Sequence, residues 1–162
     1  MPKRSAGLLL SRTGKNGLEV LLVHPGGPLW ANKDQGSWSI PKGELDGTED
    51  PLAAAEREFT EELGHGAPPG ERVGLGEIVQ ASGKRVSAWA VAGDLDASRI
   101  ESNDFEMEWP PRSGRRQSFP EVDRATWFTV AEARAKINPA QAAFIDRLVA
   151  LREPPGDGAL RD

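Results

Sequence analysis

Hydrophobic positions fall in short clusters along this chain, and their spacing sorts it into strands and helices. Ser5 to Ser11 (SAGLLLS) and Leu18 to His24 (LEVLLVH) are apolar runs either side of the Gly14–Gly17 turn, and they predict two strands. Pro25 to Gly36 reads as loop, with Trp30 partly exposed on it as a lid or contact residue. Trp38 to Ile40 predicts a short strand. Val73 to Gln80 and Arg85 to Ala92 alternate apolar and polar around Ser82-Gly83, the pattern of two half-buried strands. Ala125 to Thr129 predicts a last strand, and Val130 to Ile137 and Ala140 to Leu151 predict helices. In the second of these, Phe144, Leu148 and Leu151 share one face. Glu101 to Asp123 is a long polar insertion, a kind of segment that inside a compact domain is functional or mobile. Strands, a helix, more strands and two closing helices indicate an α+β sheet covered by helices. The expected domain is single and spans residues 1–152, with a disordered tail over 153–162.

The helix in the middle has the most definite signals. Asp50 can cap it, Pro51 suits the first helical position, and Gly64 is a ready stop. Between them LAAAEREFTEEL contains only strong or tolerable helix formers. Leu52, Ala55, Phe59 and Leu63 form an apolar stripe, while Glu58, Glu61 and Glu62 fall together on a neighbouring face. Like charges at this spacing repel by a few tenths of a kcal/mol per pair, roughly, even in open water. A hard divalent cation, which takes oxygen ligands, would relieve that repulsion. Taken alone, an acidic helical stripe is a solvated face.

The surrounding residues change that reading. Gly43, then Glu49, then Arg57-Glu58, then Glu61-Glu62 and Gly64 stand at fixed intervals, and a match of this kind arises by chance on the order of once in a million such chains. The pattern resembles the Nudix box. Its one departure is the last position, usually aliphatic in that family, which is His65 here. The resemblance implies a mixed β-sheet sandwiched between helices, an α/β/α layout. It also implies a hydrolase of nucleoside diphosphate-linked compounds that uses Mg²⁺, with Mn²⁺ possible. Glu58, Glu61 and Glu62 would be the metal ligands and the Gly43 carbonyl would complete the set. Arg57 would orient carboxylates, most naturally Glu49, and one of the acids would serve as general base. Glu121, six residues ahead of Trp127, is at the spacing where MutT-like relatives recruit a further glutamate. Lys42, beside Gly43, can meet a phosphate. In the polar insertion Arg112, Arg115 and Arg116 can clamp phosphates and Trp109 can stack a base. His24 and His65 read as structural.

Composition narrows the partners. The 162 residues carry a net charge of −5, which argues against a nucleic-acid polymer or an anionic membrane as the main partner. A small anionic nucleotide remains suitable, because local basic residues and a metal can reverse the sign at a site. Apolar and charged fractions of 38% and 28% are those of a globular chain. With no cysteine there is no thiolate chemistry and no zinc–cysteine site. The apolar run near the N-terminus stops at Leu10, short of a secretory core, so a cytoplasmic protein is expected, as monomer or homodimer.

Among Nudix subfamilies, the chain looks most like MutT-type enzymes and diadenosine polyphosphate hydrolases. It lacks the cysteine of isopentenyl diphosphate isomerases and the proline that follows the box in many ADP-ribose hydrolases. Diadenosine tetraphosphate or a nucleoside triphosphate is therefore the expected substrate. Nucleotide sugars or ADP-ribose, inositol pyrophosphates and a non-catalytic nucleotide-sensing role stand as alternatives. Dinucleoside enzymes commonly stack adenine on a tyrosine, and this chain has none, so a Trp or Phe would have to take that place.

Overall fold

The computed structural model describes residues 3–152, so the tail expected after Arg152 lies outside the described residues. Strands β1 (Arg4–Gly14) and β2 (Gly17–Pro25) form an antiparallel hairpin. Strand β3 (Lys42–Glu44) leads to helix α1 (Pro51–Leu63). Strands β4 (Val73–Val79) and β5 (Arg85–Ala92) form a second hairpin, and β6 (Asp104–Glu108) and β7 (Arg116–Pro120) a third. Strand β8 (Val122–Thr129), helix α2 (Val130–Lys136) and helix α3 (Ala142–Arg152) close the chain.

The main sheet runs β4-β5-β1-β2-β8, with β3 joined to β1. Among the strands of the described residues, β1 and β5 pair in parallel and the other pairs are antiparallel. Leu8, Leu10, Leu21 and Val91 on one face pack against Ala55, Phe59 and Leu63 of α1. Leu9, Val20, Val86 and Phe128 on the other face pack against Ala133 of α2 and Phe144, Ile145 and Leu148 of α3. The result is the expected mixed sheet between helices. No helix among the described residues is long and apolar enough to cross a membrane.

Strand β1 forks the sheet. Its end, Ser11 to Gly14, pairs with β2, while its start, Ser5 to Gly7, pairs with β3. Trp38 to Pro41 wedges the fork, and it does so with less ladder than the sequence predicts. Ser39 makes one two-way exchange with Val23 at 2.8 and 2.9 Å, Trp38 bridges Ile137, and Pro41 accepts from Leu8 N–H. Pro41 has no N–H to extend a ladder, and the regular strand begins only at Lys42.

Two further differences matter to the site. The Glu101–Asp123 stretch is mostly a two-stranded ribbon, with Asp104↔Pro120 and Glu108↔Arg116 at its ends. A free-standing ribbon has one face in water, so its sequence is polar at every other position and reads as loop. Strand β8 also begins at Val122, three residues before the predicted start, because Val122 pairs with Pro25 across a bulge.

Helix α1 begins and ends on its expected signals. Asp50 accepts the Ala53 N–H at 3.0 Å, and Gly64 ends the helix at φ 80°, its N–H donating to the Thr60 carbonyl. Phe59 is fully buried and joins α1 to the sheet. Phe59→Ala is expected to cost about 3–5 kcal/mol and to lower the thermal midpoint by roughly 10 °C. A midpoint within about 3 °C of the parent would show that this ring does not anchor the helix.

Candidate active site

Helix α1 presents its acids toward the fork. Arg57 lies among them. Its Nε and one terminal nitrogen donate to the two carboxylate oxygens of Glu49, both at 2.9 Å. The other terminal nitrogen donates to Glu58 at 2.8 Å and to Glu61 at 3.2 Å. The Glu44 carbonyl accepts a further bond at 3.1 Å. The paired bonds from Arg57, with the Asp46 N–H, hold the Glu49 carboxyl down at about 2. The same carboxylates raise the Arg57 guanidinium, already permanently charged, further still.

Glu62 points elsewhere. It lines a cleft of about 150 Å³ together with Val23, Pro25, Ser39, Ile40, Lys42, Glu121 and Val122. Its Oε1 accepts the Lys42 N–H at 3.3 Å. Burial, reinforced by the charge of Glu58, pushes its carboxyl up to about 8, although Lys42 and that N–H pull the other way. Burial also raises Glu58, and Glu61 and Glu121 add to the effect against the opposing pull of Arg57. Glu121, on the turn between β7 and β8, is raised by its own burial and by Glu61. The four acids therefore feel one another's charge, and two of them, Glu62 and Glu121, line the cleft. A side chain on Gly43 would collide with the Glu58 carboxylate, so any larger residue there would displace that carboxylate from its place beside Arg57.

The backbone fixes these relations. Asn103 N–H donates to the Glu61 carbonyl at 2.9 Å, Glu121 N–H to the Asn103 carbonyl at 2.8 Å, and Gly26 N–H to the Glu121 carbonyl at 2.9 Å. Helix α1, the base of the ribbon, the turn before β8 and the loop after β2 are thus joined in one chain of hydrogen bonds. By contrast, Trp109, Arg112, Arg115 and Arg116 stand toward the far end of the ribbon, outside the lining of the cleft. There Arg116 reaches Glu106, and Trp109 N–H donates to the Arg115 carbonyl. His24 is buried between Asp123 and the Lys33 carbonyl, and the exposed His65 reaches the Arg99 carbonyl. Sequence reading passed over Lys84. It pairs with Glu44 at 3.2 Å, and its charge, after burial, lowers the Lys42 ammonium. The available signal was a lone lysine in the turn between two predicted strands.

Could these residues hold a divalent ion? Among the described residues no three acids are already grouped as a ligand set, since Arg57 engages Glu58 and Glu61 while Glu62 bonds Lys42 N–H. The donor chemistry nevertheless fits. Every donor is a hard oxygen, and Glu62 and Glu58 are destabilised as bare anions, which is the condition a cation relieves.

The NUDIX domain model matches residues 1–148, and the chain belongs to the Nudix family. It is a hydrolase acting on pyrophosphate bonds in nucleoside diphosphate-linked substrates. Members of this family generally use divalent metals such as Mg²⁺. The chain is 30% identical over 127 residues to the RNA pyrophosphohydrolase of Rhizobium meliloti (strain 1021), covering 70% of this chain and 71% of that protein. Its fold is similar to the C. elegans Ap4A hydrolase in a binary complex, with TM-score 0.65 and 20% identity, over 91% of this chain and 96% of that one. It is also similar to the NUDIX domain of Shewanella oneidensis NrtR complexed with ADP ribose, with TM-score 0.64 and 15% identity, over 94% of this chain and 90% of that one.

The raised Glu62 carboxyl has a measurable consequence. The folded state binds this proton more tightly than the unfolded chain, so the stability it confers is complete below about pH 4.5 and is lost as pH rises through about 8. Solvent still reaches Glu62 through the cleft, which reduces the effect. In chelator, Glu62→Gln is expected to match the parent midpoint near pH 4 and to exceed it by roughly 5 °C near pH 8. A midpoint difference that does not vary with pH would contradict this assignment.

Proposed function

We propose that this chain is a Mg²⁺-dependent hydrolase of nucleoside polyphosphates, acting on diadenosine tetraphosphate or on nucleoside triphosphates through a single domain over residues 1–152. The observation that carries this reading is the run of mutually repelling acids Glu58, Glu61, Glu62 and Glu121, of which Glu62 and Glu121 line one cleft together with Lys42. An Ap4A hydrolase fold that covers nearly the whole chain supports the choice of substrate class.

In this reading Glu58, Glu61 and Glu62, the Gly43 carbonyl and Glu121 hold the ion, with Mn²⁺ as an effective substitute. When bound, such an ion offsets charge on phosphate oxygens and makes an attacking water more acidic. The chain's own residues do the positioning. Glu49 grips Arg57, and Arg57 in turn holds Glu58 and Glu61 in place. Lys42, half sunk beside Glu62, meets a phosphate oxygen with its ammonium. The general base comes from the same set of acids, and the raised proton affinity of Glu58, Glu62 and Glu121 suits those three to take a proton from water. Arg112, Arg115 and Arg116 on the ribbon receive the distal phosphates, and Trp109 meets a base.

A second reading, removal of phosphates from the 5′ end of an RNA, is favoured by the 30% identity to an RNA pyrophosphohydrolase. The net charge of −5 disfavours contact with a long polymer but permits contact with its first nucleotides.

Incubation with Mg²⁺ and a panel of dinucleoside polyphosphates, nucleoside triphosphates, ADP-ribose, NADH and 5′-triphosphorylated RNA separates the readings. Mononucleotide products from diadenosine tetraphosphate are expected; faster turnover of the RNA would move the assignment to the second reading. Glu61→Gln and Glu62→Gln are each expected to lower turnover by about a hundredfold or more while the fold persists. Unchanged turnover in both variants would remove the metal-holding role from this cluster.

A further inference from the structure

His24 is fully buried near the end of β2, and both polar atoms of its ring are engaged. Nδ1 closes on the Asp123 carboxylate at 2.9 Å and Nε2 on the Lys33 carbonyl at 2.7 Å. That carbonyl can only accept, so Nε2 carries the hydrogen of the bond. The ring also packs against the buried Trp38 indole, with centroids 5.1 Å apart and planes at 64°. An aliphatic side chain at this inward position would supply burial alone. An imidazole has polar atoms on two edges and can tie two segments together.

The segments that meet at this ring build one wall of the carboxylate cleft. Val23 and Pro25 flank His24, Ser39 and Ile40 follow Trp38, and Glu121 and Val122 precede Asp123; all six line the cleft. Lys42 and Glu62, from β3 and α1, complete the lining. The strand register shifts at the same place. His24 pairs with Arg124 and Pro25 with Val122, which leaves Asp123 as the extra residue of a bulge. A bulge interrupts the ladder, so side-chain bonds gain weight where backbone bonds are missing. The His24–Asp123 bond stands at that interruption, two residues from Glu121. Just beyond it, Gly26 N–H donates to the Glu121 carbonyl at 2.9 Å, and Glu121 N–H to the Asn103 carbonyl at 2.8 Å. The Lys33 side is anchored separately, since Asp34 accepts from the Trp38 indole at 2.8 Å and pairs with Lys136.

We infer that His24 is a positioning residue, which through Asp123 sets the main chain of the turn before β8 and so the placement of Glu121 in the cleft. Glu58, Glu61 and Glu62 are carried by a capped helix. Glu121 comes from a turn, and its place depends on what grips the strand that follows. His24 is sealed from solvent, so it acts without touching substrate or ion. A side chain that merely filled the core would support all four acids alike, whereas this ring serves Glu121 in particular. That Glu121 holds an ion rests on the hydrolase reading above; its placement by His24 does not.

The test is a cycle of variants of the intact chain, read by Mn²⁺ binding in EPR titrations. His24→Phe keeps an aromatic ring against Trp38 but loses both polar bonds. Asp123→Ala removes the partner at a position that solvent reaches, where folding is not at risk. Each is expected to weaken Mn²⁺ binding by about tenfold or more. In a Glu121→Gln background neither is expected to cost anything further, because the three groups act along one path. Equal losses in both backgrounds would overturn the proposal, as would full binding in either single variant. A second measurement, amide hydrogen exchange by NMR in chelator, needs no metal. Both variants are expected to speed exchange at the Gly26 and Glu121 N–H groups by about tenfold or more. The Asn103 N–H, held by the Glu61 carbonyl of α1, is expected to stay as it is in the parent. Acceleration shared by all three amides, or found at none, would make His24 an ordinary core residue. A parent chain that binds no Mn²⁺ would count against the metal-dependent hydrolase, and the exchange measurement would then decide the role of His24.

Discussion

One guanidinium holds the acidic end of this molecule together. Arg57 bonds Glu49 through two nitrogens, Glu58 and Glu61 through a third, and the Glu44 carbonyl as well. Without it, three carboxylates would crowd one helix face and the turn that carries Glu49 would have nothing to close on. Lysine could not replace it, since a single ammonium cannot serve a paired carboxylate and a helix neighbour at once. The arrangement also explains why acids so close together behave differently. Glu49 is held strongly anionic by the arginine, while Glu62, beyond its reach, is left to burial and repulsion.

The fork in the sheet gives that network its setting. Because β1 pairs with β3 at its start and β2 at its end, a gap opens between β2 and β3. The Trp38–Pro41 wedge fills it from the side of α2 and α3, and α1 covers it from the other. Gln141 helps fix the wedge, its carbonyl accepting the Ile40 N–H at 3.0 Å and its amide donating to Ser39 at 3.1 Å. The cleft is what remains open between wedge, helix and Glu121. Packing on the helical side remote from the acids thus determines the shape of the space they enclose.

Much of this was legible in the sequence where local chemistry and tertiary structure agree. The β1–β2 hairpin, the β4–β5 hairpin and α1 with both its caps follow from periodicity and from Asp50, Pro51 and Gly64. What escaped detection depends on distant partners. Strand β3 is three polar or small residues, and only its pairing with Ser5–Gly7 makes it a strand. The ribbon hides because Phe105 and Phe119, fourteen positions apart, become neighbours only through a cross-strand register. The helical wheel groups Glu58, Glu61 and Glu62 correctly as one face, but it cannot show that β3 buries the last of them while Arg57 takes the other two.

The hydrogen bonds linking Gly26, Glu61, Asn103 and Glu121 run from main chain to main chain, with no side chain involved. Such a joint is indifferent to which residues occupy the ribbon beyond it. The tip between Glu108 and Arg116 can therefore drift, lengthen or change its charge while the carboxylates keep their spacing. In evolutionary terms, the two ends of the ribbon are separately adjustable: mutation can change the tip without disturbing the main-chain joint at its base.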